Sequence, residues 1–265
     1  MTRIGSMFAD LARKRRKGLI AYLTAGDPSP DRTPALIEAM ERGGADLIEL
    51  GVPFSDPIAD GPVIQRAGER ALRAGTSLHT VLDIACRVRS RSEIPLLLFT
   101  YLNPVLRYGL DSLSRDASAA GIDGCLLTDA SVEEAGQYVE AMHGHGLDTV
   151  FMATPTSTER RLKLVAQYST GFVYLVSRTG VTGERESLSG SVAPLVAATR
   201  RVTDLPLALG FGIGTPEHVA AASRLVDAVV VGSAIVRLIE STGAGDSLEP
   251  ELESFVRHLK GGAGK

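Results

Sequence analysis

Ala45-Asp-Leu-Ile-Glu-Leu-Gly51 is a short, largely apolar run, and the fold turns on how often its type recurs. Similar runs occupy Leu19–Thr24, Ile94–Thr100, Gly124–Thr128, Leu147–Ala153, Gly171–Val176, Leu205–Leu209 and Asp227–Val231. Stretches of helical spacing separate them. In Ser77–Arg89, for example, Leu78, Val81, Leu82, Ala85 and Val88 recur on one face. Near-continuous apolar strands imply burial on both faces of a parallel sheet. Eight such strand–helix units within 265 residues predict an α/β fold, a closed (β/α)8 TIM barrel. The competing open, doubly wound sheet lacks its dinucleotide turn, since Gly210-Phe-Gly-Ile-Gly214 does not have the Gly-x-Gly-x-x-Gly spacing. Extra helices are expected before strand one, doubled between strands two and three, and near Leu252–Leu259 at the C-terminus. One domain over residues 1–265 is the expectation.

A formal charge of −3 gives no electrostatic case for nucleic acid or an anionic membrane. The basic run Arg13–Lys17 reads as the solvated last turn of a short helix stopped by Gly18. No apolar run reaches the ~18 residues of a spanning helix, and no signal-like segment opens the chain. Cys86 and Cys125 lie far apart without ligand spacing and read as reduced core residues of a cytoplasmic protein.

Barrel chemistry sits at the C-terminal strand ends and the loops after them. Along Ala45–Gly51, side chains alternate, so Leu47 and Glu49 share a face. If Leu47 faces the interior, Glu49 sits at the mouth, where partial desolvation would raise its pKa and suit it to proton transfer near neutrality. The competing reading is a surface glutamate at a strand end. The following loop, Val52-Pro-Phe-Ser-Asp-Pro-Ile-Ala-Asp-Gly-Pro62, is stiffened by three prolines. Asp56 and Asp60 both stand in turn contexts, and alone they read as turn formers. Their place behind Glu49 raises the alternative of a paired acid/base site.

Strand seven is followed by Gly210-Phe-Gly-Ile-Gly-Thr-Pro216 and strand eight by Gly232-Ser-Ala-Ile-Val236. Such glycines let backbone N–H groups approach an anion, and a helix starting near Ser233 would aim its positive end at it. Ser177-Arg-Thr-Gly-Val-Thr-Gly183 adds a loop of the kind that closes over a ligand. Each could be ordinary turn chemistry; together they predict a phosphate site.

The lysines Lys14, Lys17, Lys163, Lys260 and Lys265 avoid the strand ends, so a Schiff-base mechanism lacks its amine. His143-Gly-His145 falls at a helix C-terminus, where solvated histidines are expected rather than metal ligands. Neither a metal nor a cofactor is expected, which leaves carboxylate acid/base chemistry on a phosphorylated substrate.

Leu47-Ile-Glu-Leu-Gly-Val-Pro-Phe-Ser-Asp-Pro-Ile-Ala-Asp-Gly-Pro-Val-Ile-Gln65 resembles the signature of the tryptophan synthase α subunit family. Thr24-Ala-Gly-Asp-Pro28, Pro155-Thr-Ser-Thr158, Tyr174–Gly183, Gly210-Phe-Gly-Ile213 and Val231–Val236 match it in order and spacing. The resemblance implies retro-aldol cleavage of indole-3-glycerol phosphate to indole and glyceraldehyde 3-phosphate, in tryptophan biosynthesis. It implies Glu49 as principal acid/base, Asp60 at the indole N–H, and Tyr174 positioning both substrate and glutamate. Tyr22, Phe99, Leu126, Thr182 and Phe211 are then substrate contacts, although core filling remains open for the pocket walls. Gly183, Gly212, Gly232 and Ser233 align with phosphate-binding positions.

The resemblance also implies a β subunit in an αββα heterotetramer, met through the Pro53–Pro62 and strand-six loops. A stand-alone lyase and a non-catalytic regulatory barrel are the alternatives. Ser131 stands where the family usually has proline, and Glu184-Arg-Glu186 makes the strand-six loop unusually acidic. Both bear on loop behaviour rather than on the acids.

Overall fold

The computed structural model describes residues 2–176, 188–210 and 212–264, with Leu188–Ser191 in backbone only. The strands are β1 (Gly18–Thr24), β2 (Leu47–Gly51), β3 (Leu96–Thr100), β4 (Gly124–Leu127), β5 (Asp148–Ala153), β6 (Val173–Val176), β7 (Leu207–Gly210) and β8 (Ala228–Val231). They run parallel in sequence order, and β8 closes the barrel on β1. Each run identified in the sequence holds one strand. β3 starts only after Pro95, which has no N–H for the ladder but whose carbonyl accepts from Ile48 N–H at 3.0 Å.

Strand parity divides the core into two layers. Ile20, Leu47, Leu97, Leu126, Val150, Tyr174, Ala208 and Val230 fill the barrel interior. Their sequence neighbours, among them Ile48, Leu98, Cys125 and Leu175, pack outward against the helices. Helix α1 (Arg3–Arg13) contributes Ile4, Phe8 and Leu11 to the interior cluster. Its Phe8 ring lies 5.6 Å from that of Phe172. Each of these side chains stabilises the closed end by roughly 1.5–3 kcal/mol through burial.

That N-terminal pole repeats one device. Gly44, Gly121 and Gly146 take positive φ at helix ends, and each is followed two residues later by an aspartate. Of these, Asp46 accepts from Leu19 N–H (2.7 Å) and Asp123 from Leu96 N–H (2.9 Å); Asp227, which follows no such glycine, accepts likewise from Leu207 N–H (2.9 Å). Each carboxylate thus satisfies the first amides of the preceding strand. A cation meets each one: Lys260 at Asp46, Arg3 and Arg89 at Asp123, Arg200 at Asp227.

Helices α3 (Pro62–Arg73) and α4 (Leu78–Arg89) form the expected doubled connection, and α12 (Leu248–Ala263) is the C-terminal helix. The link from β3 to β4 is doubled too. Gly109, at φ 92, divides α5 (Leu102–Tyr108) from α6 (Leu110–Ala119). Two sequence expectations need correction. Cys86 is exposed, because the packed face of α4 runs through Ile84, Ala85 and Val88 and leaves it on the solvent side. The first helix is stopped by Arg15 at φ 53 rather than by Gly18, which already belongs to β1.

Candidate active site

Glu49 points into the barrel with Leu47, as parity requires, and is 1 % exposed. The surface-glutamate reading is therefore excluded. Among the described residues its Oε1 has no hydrogen-bond partner. Burial without compensation favours the neutral acid and pushes its pKa up to about 8. At neutral pH this carboxyl holds a proton that it can give away.

The loop after β2 separates its two aspartates. Asp56 is exposed and its carbonyl accepts from Ile58 N–H at 2.9 Å, which is turn chemistry. Asp60 is half-buried, and desolvation pushes it up to about 6, opposed by a hydrogen bond from the Tyr101 hydroxyl. Tyr101 Oη also accepts from Ala59 N–H (3.1 Å), and its ring lies 5.2 Å from that of Phe54. Gln65 Nε2 donates to the Asp60 carbonyl at 2.9 Å, closing the loop onto the first turn of α3. Sequence reasoning missed Tyr101. The parity that turns Leu97 and Phe99 inward reaches it two residues past Phe99.

Tyr22 and Tyr174 complete the wall, and each needs a glycine beside it. A Cβ on Gly51 would stand 2.2 Å from the Tyr22 hydroxyl, and one on Gly210 would stand 2.0 Å from that of Tyr174. The glycine ends of β2 and β7 thus admit two phenols to the mouth. Tyr22 feels both carboxylates, since Asp60 and Glu49 each add to the burial that holds its phenol neutral. Its hydroxyl lies 3.3 Å from Thr24 Oγ1. Tyr174 is buried and Glu49 likewise raises its pKa, but no hydrogen bond joins the two side chains. Phe99 packs edge-on to Tyr22 at 5.3 Å and lies 6.5 Å from Tyr174. Leu126 is buried in the same interior cluster.

Helix α11 (Ser233–Thr242) starts where expected, with Gly232 as its N-cap. Gly212 has φ +77, a conformation that glycine adopts readily. A Cβ on Gly214 would come 3.2 Å from Ala234, and one on Gly232 would come 3.5 Å from Tyr22 Cβ. The turns after β7 and β8 therefore meet at the head of α11, next to the aromatic pocket. Backbone N–H groups and the positive helix end there suit a phosphate. Thr182, Gly183, Phe211 and Glu184–Glu186 lie outside the described residues.

Two other sequence features fall elsewhere. His143 and His145 end α7 (Gly136–Gly144), with His143 Nε2 3.0 Å from Thr149 Oγ1. Ser131 caps a short 3-10 turn, Val132–Glu134, and its hydroxyl donates to Glu133 Oε2 at 2.6 Å. Among the described residues, no helix is long and apolar enough to cross a membrane.

Fold and mouth together define a class: a (β/α)8 barrel with two desolvated carboxylates beside glycine-lined turns at the head of a helix. Within that class the chain belongs to the tryptophan synthase alpha chain family, whose sequence model matches residues 8–262. The tryptophan synthase alpha chain of Solibacter usitatus (strain Ellin6076) is 74% identical over 264 residues, covering 100% of this chain and 99% of that one. The Geobacter sulfurreducens protein of the same name is 49% identical over 260 residues, covering 98% of each chain. The crystal structure of tryptophan synthase subunit alpha from Legionella pneumophila str. Paris superposes with a TM-score of 0.90 at 34% identity, covering 99% of this chain and 98% of that one. A Mycobacterium tuberculosis tryptophan synthase chain gives 0.90 at 37% identity, covering 100% and 99%.

Proposed function

We propose that this chain is a cytoplasmic, single-domain lyase that cleaves indole-3-glycerol phosphate to indole and glyceraldehyde 3-phosphate. The observation that carries this reading is Glu49, a buried carboxyl at the barrel mouth with one oxygen unpartnered among the described residues and a pKa of about 8. Glu49 donates its proton to the ring carbon that bears the side chain, and the indole becomes a cationic indoleninium. Asp60, ionised above about pH 6, accepts the indole N–H and stabilises that cation. The Glu49 carboxylate then takes the proton of the adjacent side-chain hydroxyl. As that C–O becomes a carbonyl, the C–C bond breaks and its electron pair returns to the ring. Glu49 ends protonated, as it began. The protonated ring is the electron sink, so the step requires no amine.

Tyr22, Phe99, Leu126, Thr182 and Phe211 would enclose the indole, with Tyr174 holding the pocket shape around Glu49. Gly183, Gly212, Gly232 and Ser233 would hold the phosphate. Transfer of indole to a β subunit, in an αββα assembly, is supported by Ile58 in the catalytic loop and Leu106 on α5. These side chains are 83% and 55% exposed, and such exposed apolar groups suit a partner surface.

The test is indole release from indole-3-glycerol phosphate by the purified chain, with and without a tryptophan synthase β subunit. Weak cleavage that rises sharply with β supports the paired enzyme; full activity without β supports a stand-alone lyase. Wild-type cleavage by Glu49→Gln would overturn the mechanism.

A further inference from the structure

The substrate read above is held at two ends, the indole at Asp60 and the phosphate at the head of α11, so the spacing of those ends matters. Asp60 lies two residues before α3, and the phosphate turn opens α11. Behind both helix starts lies an ion cluster that the chemistry does not use. Arg70, on α3, donates through Nε and Nη2 to the two oxygens of Asp27 at 2.7 and 2.8 Å. Its Nη1 donates to Glu240 on α11 at 2.8 Å. Arg66, one turn earlier, grips the same Glu240 through Nε (2.7 Å) and Nη2 (2.8 Å). Asp27 is buried in the loop leaving β1, close behind Thr24 and Tyr22. One guanidinium thus joins three segments of the catalytic face.

The apolar contact between the same helices is small. Ala67 of α3 and Val236 of α11 are buried against Tyr22, with Val63, Ile64 and Phe99 around them. Such a patch permits sliding, whereas forked guanidinium–carboxylate pairs fix direction as well as distance. Glu240 lies seven residues beyond Ser233, or about 10 Å along the helix at 1.5 Å per residue. A shift at the clamp is therefore transmitted to the helix start as a rigid movement.

We infer that Arg70 is a positioning residue, which with Glu240 and Arg66 sets the distance between Asp60 and the phosphate turn at Gly232–Ser233. The inference rests on the proposed cleavage reading. A misplacement of about 1 Å at a reacting centre costs up to about 100-fold in rate.

The test compares a ligand that spans both ends with fragments that touch only one. The full-length chain and its Arg70→Ala, Arg70→Lys, Arg66→Ala and Glu240→Gln variants are titrated with glycerol 3-phosphate, with indole, and with a non-cleavable indole-3-alkyl phosphate. Cleavage kinetics are measured in parallel. For Arg70→Ala, fragment affinities should stay within about 3-fold, while affinity for the spanning ligand and kcat/KM fall about 10–100-fold. Arg70→Lys keeps the charge but not the fork and should recover part of the loss. Arg66→Ala and Glu240→Gln leave the buried Asp27 pair intact and should show a smaller loss of the same kind, so they decide the matter if Arg70→Ala does not fold. Equal losses for fragments and spanning ligand, or kcat/KM within 2-fold of wild type, overturn the clamp and leave the cleavage reading standing. A wild-type chain that neither binds the spanning ligand nor cleaves substrate overturns both.

Discussion

Replacing Glu49 by glutamine should make the protein more stable in alkali, and the gain can be worked from the burial of the carboxyl. Burial favours the neutral acid, so the folded state binds the Glu49 proton more tightly than the unfolded chain does. Between pH 4.5 and about 8 the unfolded chain has released this proton while the folded chain retains it. Stability therefore falls across that window and levels off above it. The rise of about 3.5 pH units, at about 1.4 kcal/mol per unit, sets an upper bound of about 5 kcal/mol. Polarisation of the site around the ionised group lowers this to about 2–5 kcal/mol. Glutamine keeps the shape and has no proton to lose. Urea unfolding of both proteins at pH 5 and pH 9 isolates the difference, because every other titrating group is shared. Glu49→Gln should lose about 2–5 kcal/mol less than wild type between the two pH values, with unchanged m values. Parallel losses in the two proteins would refute the buried, uncompensated carboxyl.

Three further outcomes follow from the same geometry. The kcat/KM profile should be bell-shaped, failing below about pH 6 as Asp60 gains a proton and above about pH 8 as Glu49 loses its own; a flat profile from pH 5 to 9 would exclude the pair. Tyr101→Phe removes the hydrogen bond that lowers the Asp60 pKa, so the acid limb should move up by about one pH unit, read from the same kinetics. Asp123→Ala leaves Leu96 N–H without its acceptor and removes one partner each from Arg3, which keeps Glu93, and Arg89, which keeps the Gly121, Ser92 and Ile94 carbonyls; it should cost about 1–3 kcal/mol in denaturant unfolding, with kcat of the folded protein unchanged.

The barrel is readable from sequence because its strands are buried on both faces, which writes each as a continuous apolar run. Glu49 is readable because it shares the face of Leu47, and one parity decision places both. Asp60 is not separable from Asp56 in this way, since both sit in proline-stiffened turn contexts. The difference between them is made by Tyr101, which arrives from the far end of β3, and by the wall that Tyr22 forms. The glycine–tyrosine pairs escape the sequence for a similar reason: Gly51 and Gly210 read as strand ends until the neighbouring strand supplies a phenol. Cys86 departs from expectation because the burial common to free cysteines does not outweigh its place on α4, off the stripe of Leu78, Val81, Leu82, Ala85 and Val88.

The barrel uses the same functional group to opposite ends, according to what faces each carboxyl. Asp227 is held below the usual carboxylate range against its own burial, first by the Leu207 N–H and then by Arg200 and Lys17; Glu240, between Arg66 and Arg70, is held at about 2. Such groups are permanent anions near neutrality and can only fix geometry. Among the described residues, Glu49 is buried with desolvation alone acting on it, and Asp60 with a phenol as its sole counterweight. An arginine against Glu49 would give its orphaned oxygen a partner, but on the proposed mechanism it would lock the carboxyl as an anion with no proton to donate to the ring. On the proposed mechanism Glu49 gives a proton and then takes one back in a single turnover, which burial without a cation favours. The stability this forgoes near neutral pH is the same few kcal/mol that glutamine at position 49 is expected to restore.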